Sequence, residues 1–157
     1  MIAINLGSTM WMMKLVLPGM ITQRRGAIIN TSSASARISC PLLSLYSGVK
    51  KGIEQLSESV SYEYAPYGIS IQCQSPLFVT SKMSKIRNAS LFVPSPSTYV
   101  QYAIDDIGYA TNSSPYVPHA ISLFIYECIP NVFMSKIAMY MHMQVRKKAL
   151  AKLAKTK

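Results

Sequence analysis

The chain has 157 residues, with 16 Lys and Arg against 6 Asp and Glu, so its formal charge is +10, and half of its residues are apolar. This is the length of one domain, and a domain of this size buries roughly two thirds of its unfolded surface without needing a disulfide framework or a structural metal. The composition excludes collagen, long disordered segments and coiled coils.

The positive charge is concentrated at the end of the chain. Six of the sixteen cations lie in the last twelve residues, and they are Arg146, Lys147, Lys148, Lys152, Lys155 and Lys157. Taking these six from +10 leaves +4 for the remaining residues. A nearly balanced body with a cationic tail indicates a solvated end or a contact with anionic lipid, and it disfavours nucleic acid as a partner.

The cysteines favour a reducing compartment. Cys40, Cys73 and Cys128 are odd in number, widely separated and without CxxC spacing. Neither a disulfide framework nor a metal site is therefore predicted.

The first predicted elements are a helix and a strand. Methionine and leucine recur at mostly helical spacing in residues 9–20, which predicts a buried helix that ends at Pro18. Residues 26–31 are an apolar run without polar alternation, so we expect a strand covered on both faces. A serine-rich loop that contains Ser33 follows at the carboxyl end of this strand.

Residues 46–64 form the clearest predicted helix, because apolar side chains recur every three or four residues and Pro66 and Gly68 follow it. Residues 69–74 are a second predicted strand, which Pro76 stops. Helices and strands that alternate in this way predict βαβ units, and hence an α/β fold whose parallel sheet carries helices on both faces.

The last third of the chain differs in character from the first. A short amphipathic helix is predicted at residues 99–108, and residues 119–143 are strongly apolar. Glu127, Pro130 and Lys136 interrupt the apolar segment before any charge-free span reaches the ~20 residues of a membrane helix. Two interpretations fit this pattern: a buried helical pair, or a surface that dips into a bilayer beside the cationic tail.

One constellation of residues indicates chemistry. Tyr46 and Lys50 are four residues apart, so a phenol and an ammonium share one face of the 46–64 helix. A cation near a phenol favours the phenolate and lowers its pKa, as proton exchange with a substrate oxygen near neutral pH requires. Ser33 precedes Tyr46 by thirteen residues, at the edge of the sheet where open parallel sheets bind ligands, and its hydroxyl can hydrogen-bond a carbonyl. A surface pair and an ordinary loop serine are the alternatives, but the order strand, Ser, Tyr-Lys helix favours a reaction.

A Ser followed by a Tyr-x-x-x-Lys helix is also the signature of the short-chain dehydrogenase/reductase family, which this chain resembles. Further stretches, over nearly the whole chain, are similar to its very-long-chain 3-oxoacyl-CoA reductases, particularly the plant members. They are Val16-Leu17-Pro18-Gly19-Met20, Gly26-Ala27-Ile28-Ile29-Asn30, Pro76-Leu77-Phe78-Val79, Ser84-Lys85-Ile86-Arg87, Phe92-Val93-Pro94-Ser95-Pro96 and Pro115-Tyr116-Val117-Pro118-His119-Ala120. The resemblance implies the carboxyl-terminal part of a Rossmann-like, doubly wound parallel sheet with extra C-terminal helices. It also implies NADPH-dependent reduction of a long-chain 3-oxoacyl-CoA to the 3-hydroxyacyl-CoA in fatty acid elongation, with hydroxysteroid dehydrogenation as an alternative in the same branch.

The resemblance further implies roles for individual residues. Tyr46 is expected to protonate the substrate carbonyl oxygen, Lys50 to lower the pKa of Tyr46 and to hydrogen-bond the nicotinamide ribose, and Ser33 to orient the carbonyl. Asn5 matches the family Asn that holds a proton-relay water near the Lys. The loop after the second strand is expected to contact the cofactor, where Leu77 replaces the usual Gly and a Ser replaces the usual Thr. Its expected contact residues are Pro76, Val79, Thr80 and Ser81, and the hydroxyl of either of the last two can reach the cofactor amide.

The resemblance is incomplete at the other half of the cofactor site. The sequence contains no Gly-rich turn between a strand and a helix and no Asn-Asn-Ala-Gly element, which carry the pyrophosphate and adenosine. We therefore expect a partial dehydrogenase/reductase domain at residues 1–110 that lacks the N-terminal dinucleotide-binding half. An apolar helical segment, membrane-associated in one of the two interpretations above, follows at 111–143, and a basic tail at 144–157. Turnover by such a chain alone is expected to be weak or absent.

Other functions and partners stay open at this point. A non-catalytic truncated paralogue would bind intact reductase or elongase subunits, and the 46–64 helix resembles helices that build homodimer faces in the family. A nucleic-acid-binding domain is the third, disfavoured class. The resemblance implies a long-chain acyl-CoA as substrate and the cytosolic face of the endoplasmic reticulum membrane as location.

Overall fold

The computed structural model describes residues 1–154, in which three strands and five α-helices are present. The strands are β1 (Gly26–Thr31), β2 (Ile69–Gln74) and β3 (Asn112–Ser113). The helices are α1 (Ser8–Gln23), α2 (Ser44–Tyr64), α3 (Pro96–Asp105), α4 (Val117–Cys128) and α5 (Asn131–Ala154), with a π-helical turn at Ala3–Gly7 and 3₁₀ turns at Ala34–Ala36 and Ala65–Tyr67. The end of the predicted basic tail, residues 155–157, lies outside the described residues.

The sheet is parallel, with the strand order β1-β2-β3. The two predicted strands, their parallel pairing and the α/β class are confirmed. Within residues 1–154, β1 pairs with β2 alone, so its other edge is open. Ala27, Ile29 and Thr31 are exposed along β1, and the prediction that this strand is covered on both faces is wrong. The reason is that α1 and α2 cover one face of the sheet. On the opposite face α3 packs over β2, so that face of β1 stays exposed.

The hydrophobic core lies between the sheet and the helices α1 and α2. Met13 and Leu17 of α1 pack against Ile69 and Ile71 of β2, and Leu56 of α2 contacts the same cluster. Burial of each such side chain contributes roughly 1.5–3 kcal/mol. This cluster fixes the position of α2, whose first turns carry the Tyr-Lys pair.

Helix α1 differs from the prediction at both its end and its burial. It continues through Pro18 to Gln23 and ends at Arg24, which has a left-handed backbone with φ 48°. Pro18 removes one helical donor, and the packing of the following Met20 and Ile21 on the core offsets this loss. Only Met13 and Leu17 of this helix are buried and most of its other residues are exposed, so the prediction of a buried helix is wrong.

A glycine closes the connection between α2 and β2. Gly68 has a left-handed backbone, with φ +73°. A Cβ atom at this position would lie 2.5 Å from the carbonyl oxygen of Arg24, at the end of α1. The turn into β2 therefore requires glycine, both for its backbone angle and for the close approach of α1.

The second face of β2 is covered by α3 through polar contacts. Gln72 donates from Nε2 to the carbonyl oxygen of Asp106 at 3.0 Å, and Gln74 donates to that of Ala103 at 2.8 Å. The helix begins at Pro96, three residues before the predicted start, because Ser95 caps it by accepting a hydrogen bond from the Thr98 N–H. It ends at Asp105, three residues before the predicted end.

The apolar segment at residues 119–143 lies in α4 and the first half of α5, and these two helices are bent by 119° at the break between them. The interpretation as a buried pair is wrong, because most of the large apolar side chains on both helices are exposed. They are Val117, Ile121, Phe124, Ile125, Val132, Phe133, Ile137, Met139, Tyr140, Met141, Val145, Leu150 and Leu153. Within residues 1–154 no single helix is long and apolar enough to cross a membrane, whereas this bent pair passes the same test when its two helices are taken together.

Candidate functional site

Lys50 is anchored at the carboxyl end of β1. Its Nζ atom donates a 2.8 Å hydrogen bond to the Thr31 carbonyl oxygen and lies 5.8 Å from the centroid of the Tyr46 ring. Partial burial lowers the pKa of the Lys50 ammonium. The two predicted side chains thus lie together, on one face of the first turns of α2.

Ser32, for which no role was predicted, stabilises this arrangement. Its buried hydroxyl donates to the carbonyl oxygen of Lys50 at 2.9 Å, and its backbone N–H donates to that of Gln74 at 2.8 Å. The start of α2 is thereby attached to the ends of both β1 and β2. The only sequence signal was its place in the serine-rich loop.

Ser33 lies in the predicted loop but is not joined to Tyr46. It caps the 3₁₀ turn Ala34–Ala36, and its hydroxyl accepts a 3.3 Å hydrogen bond from the Ser35 N–H. Among the hydrogen bonds of residues 1–154, none connects Ser33 to Tyr46. The next residue, Ala34, instead donates from its backbone N–H to the Pro76 carbonyl oxygen at 3.0 Å, which brings the serine loop to the loop that follows β2.

Asn5 is part of the π-helical turn Ala3–Gly7, and π-helical turns are frequent at functional sites. Its carbonyl oxygen accepts a 2.8 Å hydrogen bond from the Thr9 hydroxyl, and its side-chain amide donates to the Met1 carbonyl oxygen. Asn5 and Lys50 line one cavity of about 290 Å³ beside β1. The structure therefore places Asn5 near the predicted Lys, as the relay role requires.

The loop at residues 76–81 runs beside residues 90–94. The Thr80 N–H donates to the Pro94 carbonyl oxygen at 3.1 Å. The Ser81 hydroxyl accepts from the Ser84 N–H, and Val79 accepts at its carbonyl oxygen from the Ser84 hydroxyl. Within residues 1–154 the Thr80 hydroxyl makes no hydrogen bond, whereas the Ser81 hydroxyl is bonded to Ser84. Of the two candidate hydroxyls, that of Thr80 is therefore the one free to bind a ligand.

His119 is a second residue for which no role was predicted. The sequence showed it only as part of the Pro115–Ala120 stretch. It is fully buried at the start of α4. Its Nδ1 atom accepts a 3.3 Å hydrogen bond from the Leu77 N–H, and Nε2 lies 3.2 Å from the Phe92 carbonyl oxygen. Burial lowers the pKa of this imidazole, which favours its neutral form.

A second cavity, of about 340 Å³, lies between the serine loop and the start of α2, and Ser35, Cys40 and Ser47 are among its lining residues. The hydroxyls of Ser35 and Ser47 are buried without a hydrogen-bond partner in the described chain. Burial raises the pKa of the Cys40 thiol, and the nearby Ser47 side chain partly opposes this effect. The cavity therefore offers unpaired hydroxyls beside a thiol that burial keeps protonated.

The apolar helices α4 and α5 are attached to the chain segment that lines this second cavity. Arg37 forms a 2.6 Å ion pair with Glu127 of α4. His142 of α5 donates from Nδ1 to the Pro41 carbonyl oxygen at 2.6 Å. The exposed apolar surface is thus connected to the loop between Ser33 and Tyr46.

Known proteins are similar to this chain over most of its length. The chain is 39% identical over 153 residues to a very-long-chain 3-oxoacyl-CoA reductase of Danio rerio, covering 97% of the chain and 49% of that protein. It is 38% identical over 155 residues to the Homo sapiens reductase of the same name, covering 99% of the chain and 50% of that protein. A reductase-like protein of Arabidopsis thaliana is 37% identical over 134 residues, covering 82% of the chain and 43% of that protein. The chain spans about half the length of the curated relatives it matches.

Solved structures share the fold at lower identity. A 7β-hydroxysteroid dehydrogenase superposes with a TM-score of 0.75 at 18% identity, over 88% of this chain and 57% of that one. A short chain dehydrogenase from Burkholderia cenocepacia, in complex with NADP, superposes with a TM-score of 0.63 at 20% identity, over 91% of this chain and 58% of that one. The sequence profile of the short chain dehydrogenase family matches residues 1–91. The profile covers more than half of the chain, which therefore belongs to the short-chain dehydrogenase/reductase family of NAD(P)-dependent oxidoreductases.

Proposed function

We propose that this chain carries the catalytic residues of an NADPH-dependent reductase that converts very-long-chain 3-oxoacyl-CoA to 3-hydroxyacyl-CoA in fatty acid elongation. The observation that carries the proposal is the anchored Tyr46-Lys50 pair, with Asn5 lining the same cavity as Lys50. The curated relatives are named as 3-oxoacyl-CoA reductases, which favours this substrate class over hydroxysteroids. The 7β-hydroxysteroid dehydrogenase is similar to the chain in fold alone.

Each of these residues has a separate role at the reacting carbonyl group. Tyr46 donates the proton to the carbonyl oxygen, and general acid catalysis of this kind contributes about 10²–10⁴-fold to a rate. The Lys50 ammonium stabilises the negative charge that the phenol oxygen acquires as it gives up the proton. Ser33 donates a hydrogen bond that orients the carbonyl, and Asn5 holds the water through which the proton is replaced.

The chain fits one half of the cofactor. Two groups are suited to bind the nicotinamide end of the cofactor: the Lys50 ammonium at the carboxyl edge of the sheet and the free hydroxyl of Thr80. Pro76 and Val79, from the same loop as Thr80, would contact this end as well. NADPH supplies the hydride when it is bound. These 157 residues do not include a Gly-rich turn for the pyrophosphate, so we expect tight cofactor binding only where such a turn is also supplied.

The test is an assay of NADPH oxidation with a long-chain 3-oxoacyl-CoA. The full chain is assayed alone and with the amino-terminal half of the human relative added as a separate polypeptide. We expect little or no turnover alone and measurable turnover in the mixture, which Tyr46→Phe reduces by about 10²-fold or more. A hydroxysteroid in place of the acyl-CoA tests the alternative substrate class. Full turnover by these 157 residues alone would contradict the need for an added Gly-rich turn, and an inactive mixture that has bound NADPH would contradict the proposed reductase activity.

A non-catalytic binding role is the second candidate, and the open edge of β1 together with α1 favours it. Trp11, Met12 and Leu15 of α1 are exposed by 62%, 59% and 70%, and they lie on the helix that packs beside this strand. An intact reductase or another elongase subunit would cover this surface, and so would a second copy of the chain. Co-purification of the chain with an intact reductase, with Trp11→Glu as the variant that weakens it, tests this role. If the chain does not bind the intact reductase at micromolar concentration, the binding role is contradicted.

We also infer that α4 and α5 contact the cytosolic face of the endoplasmic reticulum membrane. Their exposed apolar side chains are followed on α5 by Arg146, Lys147 and Lys148, a pairing that suits an anionic lipid surface. Flotation with anionic vesicles is expected, and Phe124→Glu or Phe133→Glu reduces it, whereas Tyr109→Glu, at an exposed aromatic residue outside both helices, is the matched control. Equal flotation of all these variants contradicts a contact through α4 and α5, and protease protection of a tagged chain in cells tests the side of the membrane.

A further inference from the structure

Two neighbouring loops at the carboxyl edge of the sheet are held together by a side chain that the proposed mechanism does not use. The loop at residues 76–81 follows β2, and the tight turn at residues 90–93 is closed by two hydrogen bonds between Ser90 and Val93. Among the described residues, one backbone hydrogen bond connects this loop to the residue that follows the turn, from the Thr80 N–H to the Pro94 carbonyl oxygen. The imidazole of His119, on α4, lies between them as a second connection.

The ring of His119 makes one hydrogen bond to each segment. Nδ1 accepts from the Leu77 N–H, so Nδ1 is unprotonated and Nε2–H donates to the Phe92 carbonyl oxygen. The ring is packed between Tyr99 and Tyr116, at centroid distances of 5.9 and 5.0 Å. The arrangement therefore fixes both the position of the ring and its tautomer.

Tyr116 supports the same contact from the adjacent turn of chain. Its hydroxyl donates a 3.0 Å hydrogen bond to the carbonyl oxygen of Leu91, next to the acceptor of His119. The turn at residues 90–93 is thus held by two side chains from the start of α4. The loop at residues 76–81 receives only the hydrogen bond to His119 from that helix, among the described residues.

We propose that His119 is a positioning residue, which fixes the loop at residues 76–81 against the turn at residues 90–93 and so sets the place of Thr80 at the edge of the sheet. A neutral imidazole suits this task because it offers an acceptor and a donor at opposite sides of one rigid ring. Asn or Gln presents its amide at one of these two sites but cannot reach both. The contribution of the bridge to cofactor binding rests on the proposed function, whereas the bridge itself does not.

The test compares isosteric variants of the full chain by amide hydrogen exchange. His119→Asn places an amide near the position of Nδ1, and His119→Gln places one near that of Nε2. We expect the Leu77 amide to keep its protection in His119→Asn and to exchange about tenfold faster in His119→Gln. Residues 90–94 are expected to respond in the opposite order. Tyr99→Phe is the control, because the buried Tyr99 hydroxyl has no hydrogen-bond partner in the described chain.

A role in packing alone would give the same exchange in both variants, and that result would overturn the proposal. A second measurement needs no variant: the ¹⁵N chemical shifts of the His119 ring in the wild-type chain report the tautomer. We expect an unprotonated Nδ1 and a protonated Nε2 at neutral pH, and a protonated Nδ1 would overturn the proposal even where the variants fail to fold. Neither measurement uses cofactor or substrate, so a failure of the reductase assay leaves both results interpretable.

Discussion

The Nζ atom of Lys50 donates its hydrogen bond to the carbonyl oxygen of Thr31, the last residue of β1, across 19 residues of chain. This contact sets the side chain that defines the site against the edge of the sheet, and Lys50→Met removes it. We expect the activity of the supplemented chain to fall by about 10²-fold or more, since the charge beside the phenol is lost. The assay of NADPH oxidation measures the effect. Lys14→Met, at a lysine on α1 whose Nζ atom lies 4.9 Å from the centroid of the Trp11 ring, is the matched control and should keep its rate. An equal loss in both variants would show that the effect is one of general charge.

The three cysteines should differ in their reaction with a thiol reagent. Cys128 is exposed, whereas Cys73 is fully buried, and burial raises the pKa of its thiol to about 11. Because the thiolate is the reactive form, we expect Cys128 to be alkylated first at pH 8 and Cys73 only after unfolding. Mass spectrometry of peptides after timed labelling measures the order. Rapid labelling of Cys73 in the folded chain would contradict the described core.

Gly68→Ala should destabilise the fold. The added Cβ meets the Arg24 carbonyl oxygen and the residue must keep φ +73°, so we expect a loss of about 1–3 kcal/mol in the free energy of unfolding. Gly48→Ala is the control, because a Cβ there meets nothing within 4 Å. That change lies within α2 and should stabilise the chain by about 0.5–1 kcal/mol. Urea unfolding followed by circular dichroism distinguishes the two signs.

The stability of the chain should fall in mild acid through His119. Burial holds the pKa of the folded imidazole below the ordinary value of about 6.5, so at pH above about 6.5 the ring is neutral in both the folded and the unfolded chain. As the pH falls below that value the unfolded chain binds a proton that the folded chain resists, and the free energy of unfolding decreases by at most ~1.4 kcal/mol per pH unit. The titratable groups facing the ring are the phenols of Tyr99 and Tyr116.

The measurement for this pH dependence is urea unfolding at several pH values between 7 and 5, in the wild-type chain and in His119→Asn. The variant should be less stable at pH 7 but should lose less stability on acidification. Parallel pH profiles of the two chains would assign the dependence to the carboxylates instead.

The elements with strong local signals were predictable from the sequence. The apolar period of α2 and the breaks at Pro66 and Gly68 located the helix that carries Tyr46 and Lys50, and β1 and β2 had distinct apolar runs. The end of α1 was not predictable, because tertiary packing beyond Pro18 decides it.

Long-range contacts at the site were beyond the reach of local patterns. His119 bonds to residues 42 and 27 positions away along the chain, and no spacing in the sequence encodes such a pair. The local hydrogen bond of Ser33, which accepts from the Ser35 N–H at the start of a 3₁₀ turn, was likewise not indicated by its spacing from Tyr46. The exposure of α4 and α5 could not be decided from composition, because apolar helices in a core and on a surface have the same residues.

The open edge of β1 has a consequence for handling the protein. Within the described residues, β1 is a six-residue strand whose backbone groups are unpaired along one side, and its exposed side chains include Ala27 and Ile29. Other extended chains can pair with such an edge and aggregate. Any polypeptide that adds a parallel strand at this edge would keep the sample dispersed in the same step in which it completes the sheet, so light scattering would report assembly before any enzyme assay does.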